Sequence, residues 1–189
     1  MNNFYPLNFF ANPLRPEFKL PALTDDNFNR QQWYLWHYVG DDNFKVISDE
    51  IAQWAIDHNL KINNCHIFCG PPNHNSIIHS DGPPNTTQIG INWVLTGLES
   101  YMVWYKTTIS EQATKTNFSN SEYRQWSDSE VEEVERCQIL GPTLINAAEP
   151  HRIINNSNKH RWTISLRFQS LTFSTWQETV EFFKPWIKS

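Results

Sequence analysis

From Cys65 to Phe168 the chain is written in short apolar runs that Gly, Pro and Asn interrupt before any reaches helical length. The runs fall at residues 65–69, 76–81, 88–96, 101–107, 134–139, 144–148 and 161–168. Runs of this length, bounded by turn residues and rich in β-branched and aromatic side chains, read as strands. A succession of strands with no helical pattern among them predicts an antiparallel sandwich or barrel.

Helical patterning is confined to the flanks. Residues 33–39 are aromatic and β-branched enough for one more strand. Ser48-Asp49-Glu50 then places a cap and two acids before Ile51, Trp54, Ala55 and His58, which share one helical face and predict a helix ending near Asn59. Trp176, Val180 and Phe183 recur at helical spacing until Pro185, so residues 175–186 predict a closing amphipathic helix. Pro6, Pro13, Pro16 and Pro21 mark the first stretch as extended and irregular, and the polar, Ser/Asn-rich residues 109–129 read as a long loop or lid. No repeat, charge block or low-complexity linker divides the 189 residues. A single domain is expected, with a lead-in strand and helix over 1–64, a β core over 65–168 and a C-terminal helix over 169–189. A chain of this length buries roughly 70% of its unfolded surface and needs no staples.

Composition narrows the function classes. Aromatic residues make up 14% of the chain, nine of them Trp, which is too much apolar surface for a disordered protein. The formal net charge of −5 argues against a surface that tracks phosphate backbones, so no nucleic-acid partner is expected. No apolar run approaches the roughly 20 residues that span a bilayer, so no membrane partner is expected either. The start, Met1-Asn2-Asn3-Phe4-Tyr5-Pro6, lacks the basic and apolar regions of a signal peptide, and cytoplasmic location is the default expectation. Cys65 and Cys69 on one strand would lie about 13 Å apart, too far for a bridge, so the three cysteines are expected reduced and buried.

Chemistry-bearing residues gather in two places. In Ser76-Ile77-Ile78-His79-Ser80-Asp81, His79 and Asp81 are two apart, so on a strand their side chains leave the same face and can grip one ion. One further imidazole completes a two-His-one-carboxylate face, which holds Fe(II) and leaves positions open. His151, after the turn, short strand and second turn of residues 141–150, is the best candidate. In Arg161-Trp162-Thr163-Ile164-Ser165-Leu166-Arg167-Phe168 the even positions are apolar and the odd ones polar, a strict period of two. If the polar face looks into a barrel, Arg161 is a buried cation that needs a carboxylate, and a guanidinium fork beside a hydroxyl at Thr163 suits clamping one.

His79-Ser80-Asp81, then His151, then Arg161-x-Thr163 ten residues later, with Gly141 ten residues before His151, resembles the Fe(II)- and 2-oxoglutarate-dependent oxygenase superfamily over residues 65–168. Asn155-Asn156-Ser157 between His151 and Arg161 is similar to the prolyl and aspartyl/asparaginyl hydroxylase branches. The resemblance implies a mainly β fold with flanking helices, a double-stranded β-helix of the jelly-roll, cupin-like kind. It implies Fe(II) held by His79, Asp81 and His151, with 2-oxoglutarate bound through its distal carboxylate by Arg161, assisted by Thr163. The implied reaction is hydroxylation of a small-molecule or peptide substrate using O2, with release of succinate and CO2. Asn92 and Tyr101, on the strands after Asp81, are candidates to hydrogen-bond cosubstrate or substrate. Departures from the pattern are Thr163 where some branches have Ser, the proline pair after Gly82, and Arg167, a second arginine of the same parity that leaves open which of the two makes the clamp.

Other readings stand beside this one. The polar parity of residues 161–167 is also what a solvent-facing strand shows. His66, His74 and His160 are rival ligands; His66 lies in an apolar strand, His74 in a Pro/Asn turn, and His160 opposite in parity to Arg161. His37 and His58 read as core-edge or helix residues, and the Glu-rich run 130–135 as a solvated edge. The tryptophans would equally suit a noncatalytic β-sandwich that binds carbohydrate or another ligand. A cupin-type metalloenzyme would use the same ligands without 2-oxoglutarate.

Overall fold

The computed structural model describes residues 2–24, 26, 28, 33–82, 86–107, 115–116, 122–169 and 173–189. In chain order the elements are β1 (Phe4–Pro6), β2 (Tyr34–Val39), α1 (Asp49–Asp57), β3 (Ile62–Gly70), β4 (His74–Asn75), β5 (Ile78–Asp81), β6 (Ile89–Val94) and β7 (Ser100–Thr107). They continue with β8 (Lys115–Thr116), β9 (Glu122–Trp126), β10 (Val131–Cys137), β11 (Thr143–Asn146), β12 (His151–Asn155), β13 (Arg161–Phe168) and α2 (Trp176–Phe183). Both helices begin on side-chain caps that satisfy amides the first turn leaves unpaired. Ser48 Oγ accepts from the Ile51 N–H at 3.4 Å, and Thr175 Oγ1 from the Glu178 N–H at 3.1 Å.

Among the described residues the strands form two antiparallel sheets. One has the order β1-β11-β6-β13-β3-β2, the other β10-β7-β12-β5-β9-β8 with β4 paired to β12. The pairing is nested: β3 with β13, β5 with β12, β6 with β11 and β7 with β10. The first half of the core thus pairs antiparallel with the second half, as a long hairpin rolled across two sheets. That is the jelly roll, a double-stranded β-helix of the cupin-like kind.

Three apolar clusters fill the layers. The largest lies on the outer face of the first sheet, where Cys65, Ile67, Ile91, Trp93, Ile164 and Leu166 pack beneath Ile51 and Trp54 of α1 and Phe183 of α2. A second, between the sheets, joins Val94 and Ile145 to Met102, Trp104 and Cys137. A third, on the outer face of the second sheet, holds Ile78, Val103, Tyr105 and Trp126. The helices therefore cover one sheet from outside and leave the space between the sheets to a different set of side chains. Cys65, Cys69 and Cys137 are free and buried, and burial foremost pushes each thiol up to about 12.

Parts of the fold differ from the sequence expectation. Residues 151–155 form β12, an inner strand between β7 and β5, which the apolar runs of the sequence do not include. Within 109–129, β9 pairs along β5 and β8 along β9; residues 109–114 and 117–121, with Pro83 and Pro84, lie outside the described residues. Tyr123-Arg124-Gln125-Trp126 alternates without an apolar face, so period two was masked by its polarity. No helix among the described residues is long and apolar enough to cross a membrane.

Candidate metal centre

His79 and Asp81 sit at the end of β5 and His151 at the start of β12, directly opposite His79 in the ladder. Side chains directly opposite in an antiparallel pair share a face, and residues two apart on one strand do too. The three therefore converge between the sheets: their ligand atoms all lie within 4.8 Å of one another. Asp81 Oδ1 is 3.6 Å from His79 Nε2, and the two imidazole rings are 4.6 Å apart.

Backbone carbonyls fix both rings. His79 Nδ1 is 3.1 Å from the Ile77 carbonyl and His151 Nδ1 2.9 Å from the Glu149 carbonyl. A carbonyl only accepts, so each Nδ1 carries a proton and Nε2 is the atom left to serve as a metal ligand. Burial chiefly pulls His151 down to about 3, with His79 adding to the effect, so the ring is neutral near pH 7. Burial alone would raise the Asp81 carboxyl, but Arg167 foremost, then His79 and His151, hold it below the ordinary carboxylate value. Two lone pairs and one carboxylate on one side of a shared point fit a divalent cation with open positions.

The polar parity of β13 faces inward. Arg161, Thr163 and Ser165 are buried, and the apolar parity is buried under the helices, so β13 is covered on both faces. Arg161 is 4% exposed; its Nε donates to Ser100 Oγ at 2.8 Å and its Nη1 to Thr163 Oγ1. Burial lowers its pKa to about 10, which leaves it charged at neutral pH, and Cys137 beside it is an un-ionised thiol. Among the described residues no carboxylate pairs with it. Arg167, at the other end of the same row, pairs with Asp81 Oδ2 at 3.0 Å. Between the two arginines, Ser165 Oγ and, across the ladder, Asn92 Oδ1 are buried without a hydrogen-bond partner. An unsatisfied buried polar atom costs about 1–3 kcal/mol, so a water or another polar molecule in this row would be stabilising.

The turn that leads into β7 presses on Arg161. Gly97 has φ +68°, and a Cβ there would stand 2.9 Å from Arg161 Cα and 3.1 Å from its Cβ. Only glycine allows both the backbone angle and the approach.

Tyr101 is not brought to this interior. Ser100, Met102 and Trp104 of β7 point between the sheets, so Tyr101 points outward, where it packs in the third cluster with the Arg136 guanidinium 5.7 Å from its ring centre. Alternation gives parity but not which parity is inward. Of the rival histidines, His74 is in β4, paired to the far end of β12, and His160 precedes β13. His66 stays near the site without joining the triad. Burial first, then Arg167 and His37, pull it down to about 3. Its ring is 4.4 Å from His37 and 5.4 Å from Phe68, and Trp33 bridges Phe68 at 6.3 Å to His79 at 5.5 Å. This aromatic wall was legible only as parity: on β3, His66 and Phe68 alternate with Cys65, Ile67 and Cys69.

No family model matches the chain, and no curated protein does. Among solved structures it is similar to a prolyl hydroxylase from Trichoplax adhaerens in complex with a hypoxia inducible factor peptide, at 12% identity and TM-score 0.43, over 80% of this chain and 70% of that one. It is similar to a prolyl-4-hydroxylase from Pseudomonas putida at 12% identity and TM-score 0.38, over 72% and 70%. It is also similar to vicilin from Corylus avellana at 12% identity and TM-score 0.41, over 76% of this chain but 30% of that one. At this level of similarity the fold assignment rests on the strand order itself.

Proposed function

We propose that the chain is a non-haem Fe(II)- and 2-oxoglutarate-dependent oxygenase that hydroxylates a small-molecule or peptide substrate. One observation carries the reading: a two-His-one-carboxylate triad shares the barrel interior with a buried guanidinium that has no carboxylate partner among the described residues. A cupin-type enzyme without 2-oxoglutarate has use for the triad but leaves Arg161 unexplained, because an uncompensated buried charge is strongly destabilising. The same charge weighs against a noncatalytic β-sandwich.

When bound, iron and 2-oxoglutarate supply the oxidation: O2 is consumed, 2-oxoglutarate yields succinate and CO2, and a substrate C–H bond becomes C–OH. The chain's own residues do the placing. His79, Asp81 and His151 hold the metal from one side. Arg161 would receive the distal carboxylate, with Thr163 and Ser100 orienting its guanidinium. Asn92 and Ser165 offer polar atoms along the way. Burial of the row on both sheet faces excludes water and strengthens each of these contacts.

The distal carboxylate gives the test. Anaerobic calorimetry with Mn(II)-loaded protein is expected to show strong preference for 2-oxoglutarate over 2-oxobutanoate, which lacks that group. Arg161→Ala should erase the preference, weakening 2-oxoglutarate by two orders of magnitude or more while leaving 2-oxobutanoate unchanged. Equal binding of the two acids by the wild type contradicts the assignment.

A further inference from the structure

The two oxygens of Asp81 have different neighbours. Oδ1 faces the triad, 3.6 Å from His79 Nε2, while Oδ2 forms an ion pair with Arg167 Nη2 at 3.0 Å. The guanidinium is mostly buried and held in place from below. Gly90 lies opposite Arg167 in the β13–β6 ladder, and a Cβ there would stand 3.1 Å from Arg167 Cδ and Nε and 3.3 Å from Cζ. Gly90 has no need of an unusual backbone angle, so its missing side chain serves space alone. The ion pair engages Oδ2 and leaves Oδ1 turned toward the imidazoles, free to bind a metal.

We infer that Arg167 is a positioning residue: by occupying Asp81 Oδ2 it confines the carboxylate to one-oxygen coordination of the metal, and Gly90 provides the room its guanidinium needs. Partners of a ligating carboxylate orient it toward the metal. A carboxylate bound through both oxygens would fill one of the positions that cosubstrate and O2 require. The inference rests on the metal-site reading given above.

The test reads the carboxylate directly. Infrared difference spectra are recorded as Zn(II) is added to metal-free protein labelled with carboxylate-13C aspartate, and the spectrum of Asp81→Asn is subtracted to isolate the Asp81 stretches. The wild type should show the wide separation of antisymmetric and symmetric stretches typical of one-oxygen binding. Arg167→Gln should narrow it toward the two-oxygen pattern, and Arg167→Lys, which keeps a cation at Oδ2, should restore most of the width. Gly90→Ala keeps the charge but displaces it, and should narrow the separation as well; it carries the test if Arg167→Gln does not fold. An unchanged separation in Arg167→Gln, or in Gly90→Ala where only that variant folds, overturns the positioning role while leaving the metal site standing. If Zn(II) produces no Asp81 signal in the wild type, or an equal one in His79→Ala, the metal-site reading fails and the inference falls with it.

Discussion

Arg161 and Arg167 stand on one strand face, six residues apart, and their surroundings differ in one respect. Arg167 has Asp81, whereas Arg161 has Ser100 and Thr163, neutral hydroxyls that orient a cation without compensating it. Nearby imidazoles show the complementary solution, since His66 and His151 are both held near 3 and stay neutral. That has a consequence for stability. Below about 6.5 the unfolded chain binds protons on these rings that the folded protein refuses until about pH 3, so the metal-free protein loses stability as pH falls through that window. Urea midpoints at pH 7, 6 and 5 should decline steadily, and His66→Gln should flatten the slope. A midpoint that stays level from pH 7 to pH 5 would show that the rings are protonated in the folded state.

The site depends on β13 more than on any other element. Its period of two was plain in the sequence because apolar and polar residues alternate without exception from Arg161 to Phe168. What sequence could not settle was which parity turned inward, since both parities proved buried, one under the helices and one between the sheets. The same gap explains Tyr101, whose strand was read well but whose neighbours Ser100 and Met102 took the inner face. β12 was missed because His-Arg-Ile-Ile-Asn is too short and too polar to announce a strand; its place comes from pairing with β5 and β7, a long-range fact. The triad itself was legible, since strand parity pairs His79 with Asp81 and the turn, short strand and turn of residues 141–150 deliver His151. Glycine at position 97 holds that strand in place. Gly97→Ala would put a side chain at φ +68° against the Arg161 backbone, and is expected to cost roughly 1–3 kcal/mol and to weaken 2-oxoglutarate more than the metal. Denaturation midpoints and the two binding constants check this; a fully stable variant with intact cosubstrate binding would contradict it.

At the scale of the molecule, the rolled hairpin separates two tasks. The outer face of the first sheet, sealed by α1 and α2, supplies most of the apolar burial, so the space between the sheets can hold an arginine, hydroxyls, an amide and a triad. The net charge of −5 says little about such a site, because one buried guanidinium sets the local sign. The triad and Arg161 lie on opposite sheets and acquire a joint meaning only if one molecule reaches both. A single observation reports on that joint use: the visible charge-transfer absorption that arises when a 2-oxo acid chelates Fe(II). Anaerobic addition of Fe(II) and then 2-oxoglutarate to the wild-type protein should produce the band. It should be absent in His79→Ala, and in Arg161→Ala it should appear only at much higher 2-oxoglutarate. No band in the wild type at saturating Fe(II) and 2-oxoglutarate, or a band indifferent to both substitutions, would contradict the account.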